Sequence, residues 1–232
     1  MKRLLIIILS ISVLGACRYR TGSGNIVTEK RNTGSFTGIS VVGGFEVEVK
    51  TGPVEVIAES DDNIIKYIRT DVVNGVLRIR IDQINLHDAH LKVYVTAPEI
   101  NNIKTSASAN VDVKDVLRSG QAIRLHSSSG SEIKVDLDAP DVFVDASSGA
   151  QINLSGKTRN FDAESSSGSS VNAKGLLSEN TTARVSSGAT AHVHASISLT
   201  ASASSGGSIN YRGAGNVKKT VSSGGSVEKE GE

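Results

Sequence analysis

Two carboxylates, a histidine and an arginine recur at one phase of a regular spacing in this chain. His126, Asp145, Glu164 and Arg184 each stand four residues before a glycine that closes a Ser-Ser-Gly triplet. Glycoside hydrolysis uses two carboxyl groups about 5 to 9 Å apart, one of them a proton donor. If the strands carrying them are neighbours in a parallel ladder, Asp145 and Glu164 lie about 4.8 Å apart, between an imidazole and a guanidinium. These four residues are the surface candidates for a site. The reading favoured for them is a solvated face of mixed sign, because any charged ladder column generates such pairs. No cleft-forming loop or exposed aromatic platform accompanies them in the sequence, and no residue is assigned as catalytic.

Other reactive side chains read as structure. His192 and His194 alternate on one strand and share a face, but the third ligand available nearby, Lys174 or Asn172, suits zinc poorly. His87 and His90 fall in a polar connector with Asp82 and Asp88. Asn153, Asn172 and Asn210, with His192 interposed, form a column that reads as an amide ladder along a stack. The twelve serines of the triplets have no dedicated base, which a serine nucleophile needs. Glycines are spaced by the repeat, with no strand-to-helix step after them, so phosphate-cradling loops are absent. No metal and no cofactor is expected.

The elements that must position these residues follow from the repeat. Ser-Ser-Gly occurs six times, ending at Gly130, Gly149, Gly168, Gly188, Gly206 and Gly224, at spacings of 19, 19, 20, 18 and 18. Seven residues before these corner glycines stand Ile123, Val142, Phe161, Thr181, Leu199 and Val217. Three residues after them stand Ile133, Ile152, Val171, Ala191, Ile209 and Val227. Polar residues alternate between, which is the period of a strand with one buried face. Each unit is therefore strand, corner, strand, second corner. Two short strands cannot bury an apolar face alone, so the units must stack in register as a parallel β-helix. Upstream, Asn110 lies 20 residues before Gly130 and is expected to replace glycine at a corner, with Ile103, Thr105 and Ala107 inward. Ile39 and Val41 before Gly43-Gly44, and Val47 and Val49 after, repeat the frame.

Residues 54–100 depart from it. Val54 to Ala58, Val76 to Ile81 and Leu91 to Thr96 read as strands, Asn74-Gly75 as a tight hairpin turn, and Asp61-Asp62-Asn63 as the cap of a short helical turn running to Ile68. The expected organisation is a less regular N-terminal β cap over 36–100 and repeats over 101–232, with 36–232 one continuous domain.

Composition agrees with a coil of narrow section. Of 232 residues, 33 are serine and 23 glycine, eight are aromatic and none is tryptophan, so the interior must be built from small side chains. With 25 Lys and Arg against 24 Asp and Glu, there is no basic field to attract nucleic acid. The single cysteine excludes an internal disulfide.

That cysteine closes the chain's first segment. Lys2-Arg3 and the apolar run Leu4 to Leu14 form a signal peptide over 1–16, and Leu14-Gly15-Ala16-Cys17 resembles the lipobox of bacterial lipoproteins, which implies that Cys17 is the lipidated residue. Acyl chains contribute about 0.8 kcal/mol per buried CH₂, and more than one holds a protein durably on a membrane. Residues 17–35 then read as an anchored tether and lead-in, with 18–25 flexible. The residue after Cys17 is Arg18, and not the Asp associated with inner-membrane retention, so an outer-membrane lipoprotein of the cell envelope is expected.

The repeated corner, seen as Gly149-Ala-Gln-Ile152-Asn153 and Gly206-Gly-Ser-Ile209-Asn210, resembles the putative auto-transporter adhesin head GIN domain family over roughly residues 36–214. The resemblance implies a right-handed, single-stranded parallel β-helix and supplies no catalytic residues. The expected function is a non-enzymatic envelope protein presenting a β-helical surface to polysaccharide or to an envelope or host protein. The alternative is a polysaccharide lyase or hydrolase on the same scaffold.

Overall fold

In a computed structural model, residues 19–82, 85–213 and 215–231 are described. Cys17 and the signal segment lie outside them. The chain is a parallel β-solenoid, and its regular turns each carry one strand on each of two ladders. Along the first ladder run β7 (Val76–Ile81), β3 (Gly38–Val42), β10 (Asn102–Ser106) and β12 (Ile123–Ser127). It continues through the second halves of β13 (Glu132–Ala146), β14 (Gln151–Ser165) and β15 (Ser170–Val185), then β17 (Ser198–Ala203) and β19 (Asn216–Val221). Along the second run β9 (Leu91–Ala97), β4 (Glu46–Thr51), β11 (Asn110–Arg118) and the first halves of β13 to β15. β16 (Thr190–His194), β18 (Ser208–Arg212) and β20 (Ser226–Lys229) complete it.

The Ser-Ser-Gly corners are β-turns in which the serine before the glycine is left-handed as well. Ser129, Ser148, Ser167, Ser187, Ser205 and Ser223 have φ between 47° and 55°, and their glycines between 69° and 74°. Two consecutive positive φ values define the type I′ turn, the same geometry found at Asn74-Gly75 in the predicted hairpin. The carbonyl of each first serine accepts the N–H three residues on, as in Ala150 to Ser147 at 3.1 Å. Each corner glycine donates to the next coil's serine carbonyl, as in Gly149 to Ser167 at 3.1 Å, so successive corners are bonded to one another. At the second bend Gly156 has φ 107°, and a Cβ there would lie 1.9 Å from the Leu137 carbonyl oxygen, so only glycine lets adjacent coils close up.

The core changes along the axis. Phe36, Phe45, Ile64, Ile68, Leu77, Ile79 and Ile100 fill the N-terminal end, whereas Ala173, Ala183, Ala191, Ala201 and Ala203 dominate later coils. Buried hydroxyls fill inward corner positions in pairs or threes. Thr105, Ser127 and Ser131 bond one another at 2.8 to 3.0 Å, and Ser165 bonds Ser169 at 2.8 Å.

The cap is where sequence expectation and structure part. The coil made by β7 and β9 stacks outside the one made by β3 and β4, although it comes later in the chain, and β10 then pairs with β3 on its other side. Two antiparallel additions close the end: β6 (Ile68–Val73) on β7, and β5 (Glu55–Asp61) on β9 with β2 (Ile26–Arg31) beyond it. Asn110 is no corner residue. It pairs with Glu132, and the corner is formed by Ala107 and Ser108, at φ 56° and 64°, so the repeat there is 22 residues. The two-residue slip preserves the side-chain alternation, which is why Ile103 and Thr105 are still buried, while Ala107 is exposed.

Asp61, Asp62 and Asn63 do not cap the short 3₁₀ turn Ile65–Tyr67, whose first residue has no side-chain cap. They hold the N-terminal segment instead. Asp61 accepts N–H bonds from Gly24 at 2.7 Å and His90 at 2.9 Å. Asp62 accepts Ser23 Oγ at 2.6 Å, and Asn63 donates to the Thr21 carbonyl at 2.9 Å. With β1 (Tyr19–Thr21) paired in parallel to β8 (Asn85–His87), the stretch read as a flexible tether is docked from Tyr19 onward.

Candidate functional site

The four surface candidates occupy one ladder column, as the spacing required. His126 pairs with Asp145, Asp145 with Glu164, and Glu164 with Arg184, on β12, β13, β14 and β15 in succession. Alternation fixes their direction: Leu125, Val144, Ala163 and Ala183 beside them point into the core. The side chains meet in two couples. His126 Nδ1 is 3.0 Å from Asp145 Oδ2, and Arg184 Nη1 is 3.2 Å from Glu164 Oε1. Arg184 also donates to Asp162 Oδ1 at 2.8 Å, in the neighbouring outward column.

That second column contains what the sequence reading missed. Phe143 lies between the buried Val142 and Val144, faces outward and is 41% exposed. The Arg124 guanidinium stands 5.0 Å from its ring centroid. The signal was present, since an aromatic residue at outward parity in a strand with one buried face is out of pattern. Together Arg124, His126, Phe143, Asp145, Asp162 and Glu164 border an open depression of about 370 Å³. A smaller one, about 230 Å³, continues over Glu164, Arg184 and the corner serines.

The arrangement suits binding better than bond cleavage. Asp145 and Glu164 have side chains 56% and 60% exposed, and each is engaged by a different partner, His126 and Arg184. No wall excludes water from them, whereas preorganised catalysis depends on a shielded site. An exposed ring flanked by carboxylate acceptors and guanidinium donors is a surface on which a polar ligand with an apolar face can rest.

Several other charged groups are paired within the fold. Glu230, in the last coil, reaches back to Lys174 at 3.0 Å and His192 at 2.7 Å, and these hold its carboxyl below the usual carboxylate range. His192 is thereby committed to a hydrogen bond with Glu230, and among the described residues no cluster of three or more His, Cys, Asp or Glu could hold a metal. His90 meets Glu59 at 2.8 Å and Asp82 meets Arg69 at 2.8 Å, so that polar connector splits into separate pairs. Lys92 bridges Glu46 and Glu48 at 2.9 and 2.7 Å. It depresses the Glu48 carboxyl and is itself driven up by the two carboxylates. Of the expected amide column only one step is hydrogen-bonded, Asn172 donating to Asn153 at 3.4 Å, while His192 turns to Glu230. A tighter ladder runs from Asn180 to Asn160 at 3.2 Å and on to Asp141 at 2.7 Å.

A family model described as putative auto-transporter adhesin, head GIN domain, matches residues 35–216. The chain belongs to this family. Among solved structures it is similar to a putative adhesin from Bacteroides fragilis NCTC 9343, at TM-score 0.83 and 18% identity, covering 91% of this chain and 100% of that one. A putative adhesin from Parabacteroides distasonis ATCC 8503 matches at TM-score 0.76 and 21% identity, over 92% of this chain and 100% of the other. A third structure, a putative lipid binding protein from the same organism, matches at 0.71 and 17%, again over 92% and 100%. These likenesses establish the fold shared by the head GIN family member and its neighbours. No protein of curated function matches. Among the described residues no helix is long and apolar enough to cross a membrane.

Proposed function

We propose that this head GIN domain protein is a non-enzymatic envelope adhesin, held to the membrane by lipidated Cys17, that binds polysaccharide on the ladder face around Phe143. Membership of an adhesin family points to a cell-envelope or surface-associated protein. The observation that carries the ligand reading is the exposed Phe143 ring, set by a rigid ladder among His126, Asp145, Asp162, Glu164 and Arg184. Over the coils around Phe143, Asp145, Asp162 and Glu164 balance Lys104, Arg124 and Arg184, which favours an uncharged glycan over an acidic one there. Stacking on an aromatic ring and acceptance of hydroxyl hydrogen bonds by carboxylates are both available to a hexose.

A glycan array probed with the soluble form lacking residues 1–17 tests this. Binding to neutral glycans is expected, reduced at least tenfold by Phe143→Ala and by Asp145→Ala, with circular dichroism unchanged. Binding that survives both substitutions would remove this face from the function. Release of reducing ends from a bound glycan would favour the lyase or hydrolase reading, for which the Asp145 and Glu164 pair is the supporting observation.

A further inference from the structure

The docked N-terminal segment fixes more than the cap. Only Arg18 stands between Cys17 and Tyr19 in sequence, and two residue steps reach at most about 7 Å. Tyr19 is no free end, because β1 is hydrogen-bonded along β8, which lies between the two strands of the outermost coil. The residues that follow are locked by Asp61, Asp62 and Asn63 in the turn joining β5 to β6. A lipid on Cys17 would therefore be tied, without slack, to the cap end of the solenoid.

The surface around that point has the composition of a membrane interface. Tyr19 is 62% exposed. The Arg20 guanidinium lies 5.0 Å from the Tyr67 ring centroid and the Lys66 ammonium 5.4 Å from it, both cations being exposed. Rings with a polar edge settle at headgroup depth, and Lys and Arg beside them meet anionic phosphates. Nearby cap cations such as Arg69 and Lys30 are engaged by Asp82 and Glu55. Neither Arg20 nor Lys66 has a carboxylate partner among the described residues.

We infer that the cap end, through Tyr19, Arg20, Lys66 and Tyr67, is a docking surface for an anionic bilayer, so that the solenoid stands end-on with its last coil farthest from the membrane. The inference rests on the anchoring of Cys17. From β6 to β19 the first ladder has nine strand spacings, which places the distal coil roughly 40 Å from the cap edge. The face around Phe143 then looks sideways, parallel to the membrane.

Full-length protein purified from membranes and reconstituted in phosphatidylethanolamine vesicles containing phosphatidylglycerol tests the orientation. Intact mass is read first: an unmodified Cys17 overturns the anchoring and the orientation with it. On the lipidated protein, a fluorophore is attached to an introduced cysteine, Thr28→Cys in the outermost cap strand or Ser222→Cys in the distal corner, and quenched by headgroup spin-labelled lipid. Quenching is expected at position 28, at least fivefold stronger than at 222. Equal quenching at the two positions overturns the end-on orientation while leaving the anchor standing. Arg20→Glu with Lys66→Glu is expected to lower the quenching at position 28 at least twofold with the acyl mass retained, and no change overturns the role of the patch.

Discussion

The two ends of the ladder solve the same packing problem with different materials. In the cap, strands enter out of chain order and in both directions, and the space between them is filled by Phe36, Phe45, Ile64, Ile68 and Ile100. In the later coils the turns repeat one another closely, and small residues such as Ala183, Ala191 and Ala201 share the interior with single larger ones such as Leu199 and Ile209. Irregular backbone leaves irregular gaps, which only large and varied side chains fill to native density. Repeated backbone leaves equal, narrow gaps and relies on ladder and corner hydrogen bonds instead. Among the described residues nothing covers the last coil: β19 is exposed along its length, and Lys219 lies over the Tyr211 ring at 4.8 Å where the pattern calls for an inward apolar residue.

The largest separation between the two regions should appear on truncation. Phe45→Ala is expected to lower stability by about 3–5 kcal/mol, whereas Val221→Ala, at a half-exposed position of the last coil, should change it by less than about 0.5 kcal/mol. Urea unfolding measures both, and similar losses would dissolve the contrast.

Acid should act on the cap before the middle coils. Burial works against the charge on Asp61, but the His90 and Gly24 N–H groups outweigh it and hold the carboxyl below the usual range. Asp62 is lowered by Ser23 and Asn25, and Glu48 by Lys92. A carboxyl with a depressed folded pKa contributes stability that is present above its unfolded value, near 4, and lost as pH falls below it. Amide exchange at residues 22–27 is therefore expected to accelerate between pH 5 and pH 3 relative to β14. Asp61→Asn should expose that segment at pH 7 and add little further at pH 3.

The smallest effect concerns the corners. A non-glycine residue at positive φ is strained, so Ser148→Gly is expected to raise stability by about 0.5–1 kcal/mol on urea unfolding. A loss would show that the Ser148 hydroxyl has a structural task.

What the sequence revealed follows the same division. Period-two alternation and the Ser-Ser-Gly register are local signals, so the coils, the buried columns and the meeting of His126, Asp145, Glu164 and Arg184 could be read directly. The misreading at Asn110 did little harm, because a slip of two leaves each side chain on its own face. The stacking of β7 outside β3 has no local signature: the strands that pair there are separated by an antiparallel excursion. The docking of Ser23 to Asn25 on Asp61 to Asn63 was hidden for the same reason, since those residues also suit a helix start. Phe143 was visible as a parity violation and went unread among charged neighbours. The left-handed serines had a precedent in the chain's own Asn74-Gly75.

The out-of-order cap has a consequence for how the molecule is assembled. Six nearly identical corners give each coil several plausible partners, and a coil paired one period out would satisfy most of its hydrogen bonds. The sandwich of β3 between β7 and β10 is unique and comes from the first half of the chain, so synthesis delivers it first. It can act as a template with one open edge, onto which each later coil adds by closing a loop of about twenty residues, a short and entropically inexpensive step. The cap would then set the register for everything that follows, and a chain deprived of it should form coils that miscount.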